Sequence, residues 1–113
     1  MALPPAAVGY QRSDIAGSRL QWNEAQMRSL AQQMGYDYRK TLVFGPEVAD
    51  KAHRVRVAVS RTRSVAVFVP SIEHLEGGIP GEIIEVADVV TVAPENTYAR
   101  TPEQPEPSKG SAE

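Results

Sequence analysis

The residues Ala6 to Arg12 read AAVGYQR, an apolar-rich run after two prolines, and predict a first strand. The polar SDIAGS that follows (Ser13 to Ser18) predicts a loop. Ser18 and Gln21 have capping-box spacing, in which the two side chains satisfy backbone amides at a helix start. Met27, Leu30, Ala31 and Met34 then recur at helical spacing, with Glu24, Arg28 and Gln32 on other faces. They predict a helix from Leu20 to Met34, closed by Gly35 in the left-handed conformation. YDYRKTLVF (Tyr36 to Phe44), aromatic and β-branched, predicts a second strand, and Pro46 suits the first turn of a helix.

Two periods overlap in EVADKAHRVRVAVSRTRS (Glu47 to Ser64). Val55, Val57 and Val59 alternate as in a strand, while Val48, Ala52, Val55 and Val59 form a helical stripe. A helix is predicted, because the apolar runs on either side need a crossover to lie parallel. SVAVFVP (Ser64 to Pro70) predicts a strand buried on both faces. A glycine-rich loop, SIEHLEGGIPG, leads to a short helix over Glu82 to Ala87 with Pro80 near its start. DVVTVAP (Asp88 to Pro94) predicts a fourth strand, after which Tyr98 and Arg100 are expected against the sheet edge.

This order, β-α-β-α-β-α-β, predicts an α/β domain over residues 6–100: three layers, with helices on both faces of a mainly parallel four-stranded sheet. Residues 1–5 and the proline- and glutamate-rich 101–113 are expected to be disordered, having no apolar anchor to offset ordering entropy. Ligands of such sheets bind beyond the carboxyl ends of the strands. Here those ends carry Arg12, Ser13 and Asp14, then Ser71, Glu73 and His74, then Glu95 and Asn96.

Composition narrows the chemistry. The 113 residues are 42% hydrophobic and 23% charged with net charge −2, which gives no global attraction to nucleic acid or an anionic membrane. Without cysteine there are no disulfides and no thiolate chemistry, and two isolated histidines, His53 and His74, supply no metal site. No metal or cofactor is expected. Neither a signal peptide nor the roughly 20-residue apolar run of a membrane helix is present, so a soluble, cytoplasmic chain is expected.

Tyr10 and Arg12, then Gln26, Leu30 and Gly35-Tyr36, then VAVFVPSIEHLEGG, stand in an order that resembles the amino-terminal catalytic domain of serine recombinases, the resolvase and invertase family. The likeness covers about residues 6–94. It implies a first strand ending in Y-x-R-x-S and a third entering L-D-R-L-x-R, whose arginines neutralise charge developing on a DNA phosphate. Tyr10 and Arg12 match the first motif, and in an extended strand Asp14 shares their side while Ser13 faces away. Asp14 thus stands in the nucleophile's position. The second motif's arginines fall on His74 and Gly77, its acid on Glu73, and Glu76 adds a further carboxylate. One arginine among three carboxylates suits a phosphoryl transition state poorly. No segment for the family's dimer helix or helix-turn-helix is expected. The resemblance implies a non-catalytic module, with Tyr10, Arg12, Ser13, Asp14 and His74 as a vestigial site, acting on a protein partner or by self-association.

Two alternatives come from the residues themselves. Lys51, Arg54, Arg56, Arg61 and Arg63 form a run with no acid among them, with Lys51, Arg54 and Arg61 on one flank of the valine stripe and Arg56 and Arg63 on the other. The run reads as a nucleic-acid phosphate patch or, the favoured reading, as a solvated face whose side chains cover apolar surface. DNA is therefore a disfavoured partner, and no aromatic stacking platform accompanies the run. The other alternative is an enzyme on a small phosphorylated ligand with Arg12 holding the anion. His74 could serve as a general base with Glu73 or Asp14, against the plainer roles of exposed loop residue or helix cap. Trp22 is expected in the core rather than as a partner anchor. GGIPG lacks the lysine and glycine spacing of a phosphate loop. A receiver-type phosphorylation domain is excluded, since the third strand ends VPSIE without its aspartate.

Overall fold

The computed structural model describes residues 3–102; the expectations for 1–2 and 103–113 lie outside the described residues. At the margins, Pro5 O accepts from Asp37 N at 2.8 Å and Thr101 N donates to Ile84 O at 2.8 Å.

The strands are β1 (Ala6–Arg12), β2 (Asp37–Phe44), β3 (Ser64–Val69), β4 (Asp88–Thr91) and β5 (Asn96–Tyr98). The helices are α1 (Ser13–Ala16), α2 (Leu20–Gln33), α3 (Lys51–Thr62) and α4 (Gly81–Ile84). One sheet runs in the order β2-β1-β3-β4-β5. Every neighbouring pair is parallel except β4–β5. The described residues therefore form an α/β fold with five strands, not the four expected. The expected fourth strand stops at Thr91, whose Oγ1 donates to Pro94 O at 2.6 Å, and the chain returns with Thr91 opposite Asn96. A hairpin needs no crossover, so so short a return leaves no periodic trace in the sequence.

Side chains alternate along the sheet and sort into two buried clusters. Val8 and Tyr10 of β1, Val67 and Val69 of β3, and Val89 meet Val55 and Val59 of α3 and Ile83 of α4. Ala7, Ala66, Phe68 and Val90 meet Met27 and Ala31 of α2. The valine stripe of α3 is thus a helical one, as the crossover required, although Val48 lies in a turn ahead of the helix.

β2 departs from simple alternation. Its register with β1 slips between Ala7–Tyr38 and Val8–Lys40, leaving Arg39 as an extra residue. Such a bulge re-aims every side chain beyond it. Tyr38 joins the α2 cluster, whereas Leu42 and Phe44 pack on the α3 cluster.

Several local expectations are corrected. Ser13–Ala16 is helical and Gly17–Arg19 forms a 3-10 turn, where a loop was expected. No side chain caps α2, so the Ser18–Gln21 capping box does not form. The chain enters α2 already coiled, without the extended residue that a cap requires. Gln11 ties this junction instead: its Nε2 donates to Leu20 O, and its Oε1 accepts from Asn23 Nδ2, both at 3.0 Å. Pro46 sits in a turn, and α3 begins only after Asp50, which has a left-handed φ of 55°. The helix expected over Glu82 to Ala87 is α4, one turn long, opened by Pro80. Trp22 is 57% exposed rather than in the core. It precedes Met27 by five residues, which places it about 140° around the helix from the buried stripe.

Candidate functional site

In this strand order the connections that leave β1 and β3 run in opposite directions, so the crevice where ligands of such sheets bind lies at the carboxyl ends of β1 and β3. Arg12 closes β1 there, and a 3-10 turn over Ile72–Leu75 carries His74 in from the end of β3.

Each nitrogen of the Arg12 side chain is engaged. Nε lies 3.1 Å from Asp14 Oδ1 and Nη2 2.6 Å from Asp14 Oδ2, a bidentate pair, while Nη1 reaches Glu76 Oε2 at 2.8 Å. Its side chain is only 15% exposed. The bidentate bond to Arg12 holds the Asp14 carboxyl below the usual carboxylate range, and the same bond raises the guanidinium. Lys51 Nζ stands 3.7 Å from Glu76 Oε2 and donates to Val48 O at 3.0 Å and Pro46 O at 3.3 Å. Two cations therefore face two carboxylates. The site is electrically closed.

His74 is buried, and its Nδ1 accepts from Arg12 N at 2.9 Å. That bond requires the neutral ring protonated at Nε2. Burial, aided by the Arg12 charge, lowers the His74 pKa, while Glu73 and Asp14 oppose the shift. Tyr10 packs its ring 5.6 Å from Phe44, and burial, with Glu76 and Asp14 adding to it, pushes its phenol up to about 12. A cavity of about 30 Å³ bounded by Tyr10, Lys51, His74 and Glu76 has room for about one water.

The structure gathers Tyr10, Arg12, Asp14 and His74, but not by strand alternation. The extended backbone ends at Arg12, and Ser13 and Asp14 belong to α1, so the alternation of faces that sets Tyr10 and Arg12 on one side does not extend to them. Asp14 reaches the guanidinium around the strand-to-helix corner. Ser13 is half-buried and opens α1. Of the other strand-end residues, Ser71 and Glu73 contribute backbone carbonyls to the turn, to His74 N and Glu76 N. Glu95 and Asn96 are exposed in the β4–β5 hairpin.

The basic run divides as helical spacing requires. Arg54 and Arg61 line a groove toward β2, whereas Arg56 and Arg63 line one toward Val86. Lys51 is drawn to Glu76, and Arg56 to Glu85 Oε1 at 3.1 Å. Two contributors escaped sequence reasoning. Gln11 gave no signal beyond being polar in an apolar run. Lys40 stands on the α3 side only because of the bulge at Arg39. Comparison of the chain with protein families, curated proteins and solved structures finds no match.

Proposed function

We propose that the chain is a resolvase-like domain without catalysis, a cytoplasmic module that binds or regulates a protein partner or a second copy of itself. The observation that carries this reading is the closure of Arg12 on Asp14 and Glu76. Phosphoryl transfer to a serine needs preorganised positive charge turned toward the phosphate oxygens. Here an incoming phosphodiester would have to displace one of the chain's own carboxylates, and His74 already accepts a hydrogen bond at Nδ1. Further support for the likeness is the position of Tyr10 and Arg12 at the end of β1. The division of α2 and α3 between two buried clusters supports a three-layer arrangement. The exposed Trp22 supports the partner-binding half, since tryptophan is enriched where interfaces concentrate their energy.

Purified protein incubated with supercoiled plasmid tests the reading. The expected result is neither nicked product nor a covalent protein–DNA adduct. Nicking that disappears in Ser13→Ala would overturn it. Sedimentation of wild type and Trp22→Ala, with and without lysate from the source cell, reads the binding half: Trp22→Ala is expected to shift complexes back to monomer.

A further inference from the structure

α3 packs over β1 and β3, and the edge strand β2 extends beyond it, leaving a groove of about 500 Å³ between strand and helix. The bulge decides what the strand contributes. Lys40 pairs with Val8 and Leu42 with Tyr10, both on the α3 side. Were Arg39 paired in the ladder instead of bulged out, Lys40 would stand opposite Gly9 and face the other way. The opposite wall carries Arg54 and Arg61, seven residues apart and so on one flank of the helix.

Three cations thus meet a single carboxylate, Asp50, across an apolar floor of Leu42, Val57 and Ala58. Arg54 is held in place by its Nε, which donates to Ala49 O at 2.9 Å. Arg12, Arg28, Arg39, Lys51 and Arg56 each meet a carboxylate, whereas Lys40, Arg54 and Arg61, like Arg19, Arg63 and Arg100, take part in none of the ion pairs among the described residues. His53, also in the groove wall, turns its Nδ1 to Glu82 Oε2 at 3.3 Å. In a chain of net charge −2, like charges gathered on a partly apolar surface repel one another until an anion joins them. An inward lysine on an edge strand also discourages edge-to-edge pairing, but that accounts for Lys40 and not for the two arginines.

We propose that this groove binds a small organic phosphomonoester, its phosphate between Lys40, Arg54 and Arg61 and its apolar portion on Leu42, Val57 and Ala58. The volume falls within the range of small-molecule sites, and the lining offers no aromatic ring on which a nucleic-acid base could stack. The site is separate from the strand ends, so it stands or falls independently of the catalytic silence proposed there.

Calorimetric titration of the full chain with phenyl phosphate, inorganic phosphate and a short single-stranded DNA decides the matter. Expected is saturable binding of phenyl phosphate, tighter than that of inorganic phosphate. Arg54→Gln and Arg61→Gln should each weaken it roughly tenfold, the loss of one charge-assisted hydrogen bond. Arg39→Gln, on the same strand but outside the groove lining, should leave it unchanged, with circular dichroism confirming the fold of each variant. Absence of saturable binding by either phosphate overturns the proposal, as does equal weakening in Arg39→Gln. Binding of the DNA alone, falling steeply with salt, also overturns it and makes the groove part of a nucleic-acid surface.

Discussion

An alanine at Gly9 would place a methyl group where Tyr38 already lies. The added Cβ would overlap the Tyr38 hydroxyl and stand 2.8 Å from Cζ and 3.2 Å from Cε1. Tyr38 has little room to yield. It is buried, its hydroxyl lies 2.7 Å from Thr41 Oγ1, and its ring is 6.4 Å from that of Phe68, with the Arg28 guanidinium 4.8 Å from its centroid. Gly9 itself is fixed between Thr41 and Phe68 at the centre of the sheet. Overpacking of this kind costs about 1–3 kcal/mol, and a displaced tyrosine also loses a hydrogen bond worth about 1 kcal/mol. Gly9→Ala should therefore destabilise by about 2–4 kcal/mol, a fall in Tm of roughly 10–25 °C for a domain of this size. Tyr38→Val removes the obstacle. In that background Gly9→Ala should cost almost nothing, since alanine loses less backbone entropy than glycine in a strand. Thermal and urea melts of the four proteins give the coupling directly. Additivity within about 0.5 kcal/mol would refute the reasoning, including the bulge that directs Tyr38 toward Gly9.

Gln11→Ala should destabilise by about 1–3 kcal/mol in urea melts, because Leu20 O and Asn23 Nδ2 lose the partner that joins β1 to α2. Met27→Ala, emptying a fully buried position under α2, should cost about 2–5 kcal/mol by the same measurement. Stability should fall as pH drops below 6.5. The lowered His74 pKa means that the unfolded ring takes up its proton first, and the stability lost on acidification is present above the unfolded value. Urea melts across pH should show that slope flattened in His74→Phe, with His53 common to both proteins. The lowered Asp14 pKa acts in the same direction in a more acidic window, below 3.8.

Where one period dominates a long enough segment, the sequence and the structure agree. β1, α2 and β3 follow their apolar patterns, and α3 follows from the topological need for a crossover, borne out by the burial of Val55 and Val59. What escaped is short or long-range. α1 spans four residues and β5 three, too few to set a period, and β5 exists only through its pairing with β4. The bulge at Arg39 depends on β1 as a partner, so strict alternation misplaces Tyr38 relative to Lys40. At the strand ends, the residue types were legible and their bonds were not. Glu76 reaches Arg12 from 64 positions away, and Asp14 meets it around a helical corner that the sequence reads as a loop.

The most direct test observes Arg12 itself. In a 15N-resolved spectrum its Nε–H, held by Asp14, is expected to give a resolved signal that does not move when short duplex DNA is added at low salt. A saturable shift of that signal together with the Ser13 amide would mean that a phosphate displaces the carboxylates, and the closed, non-catalytic account would be wrong.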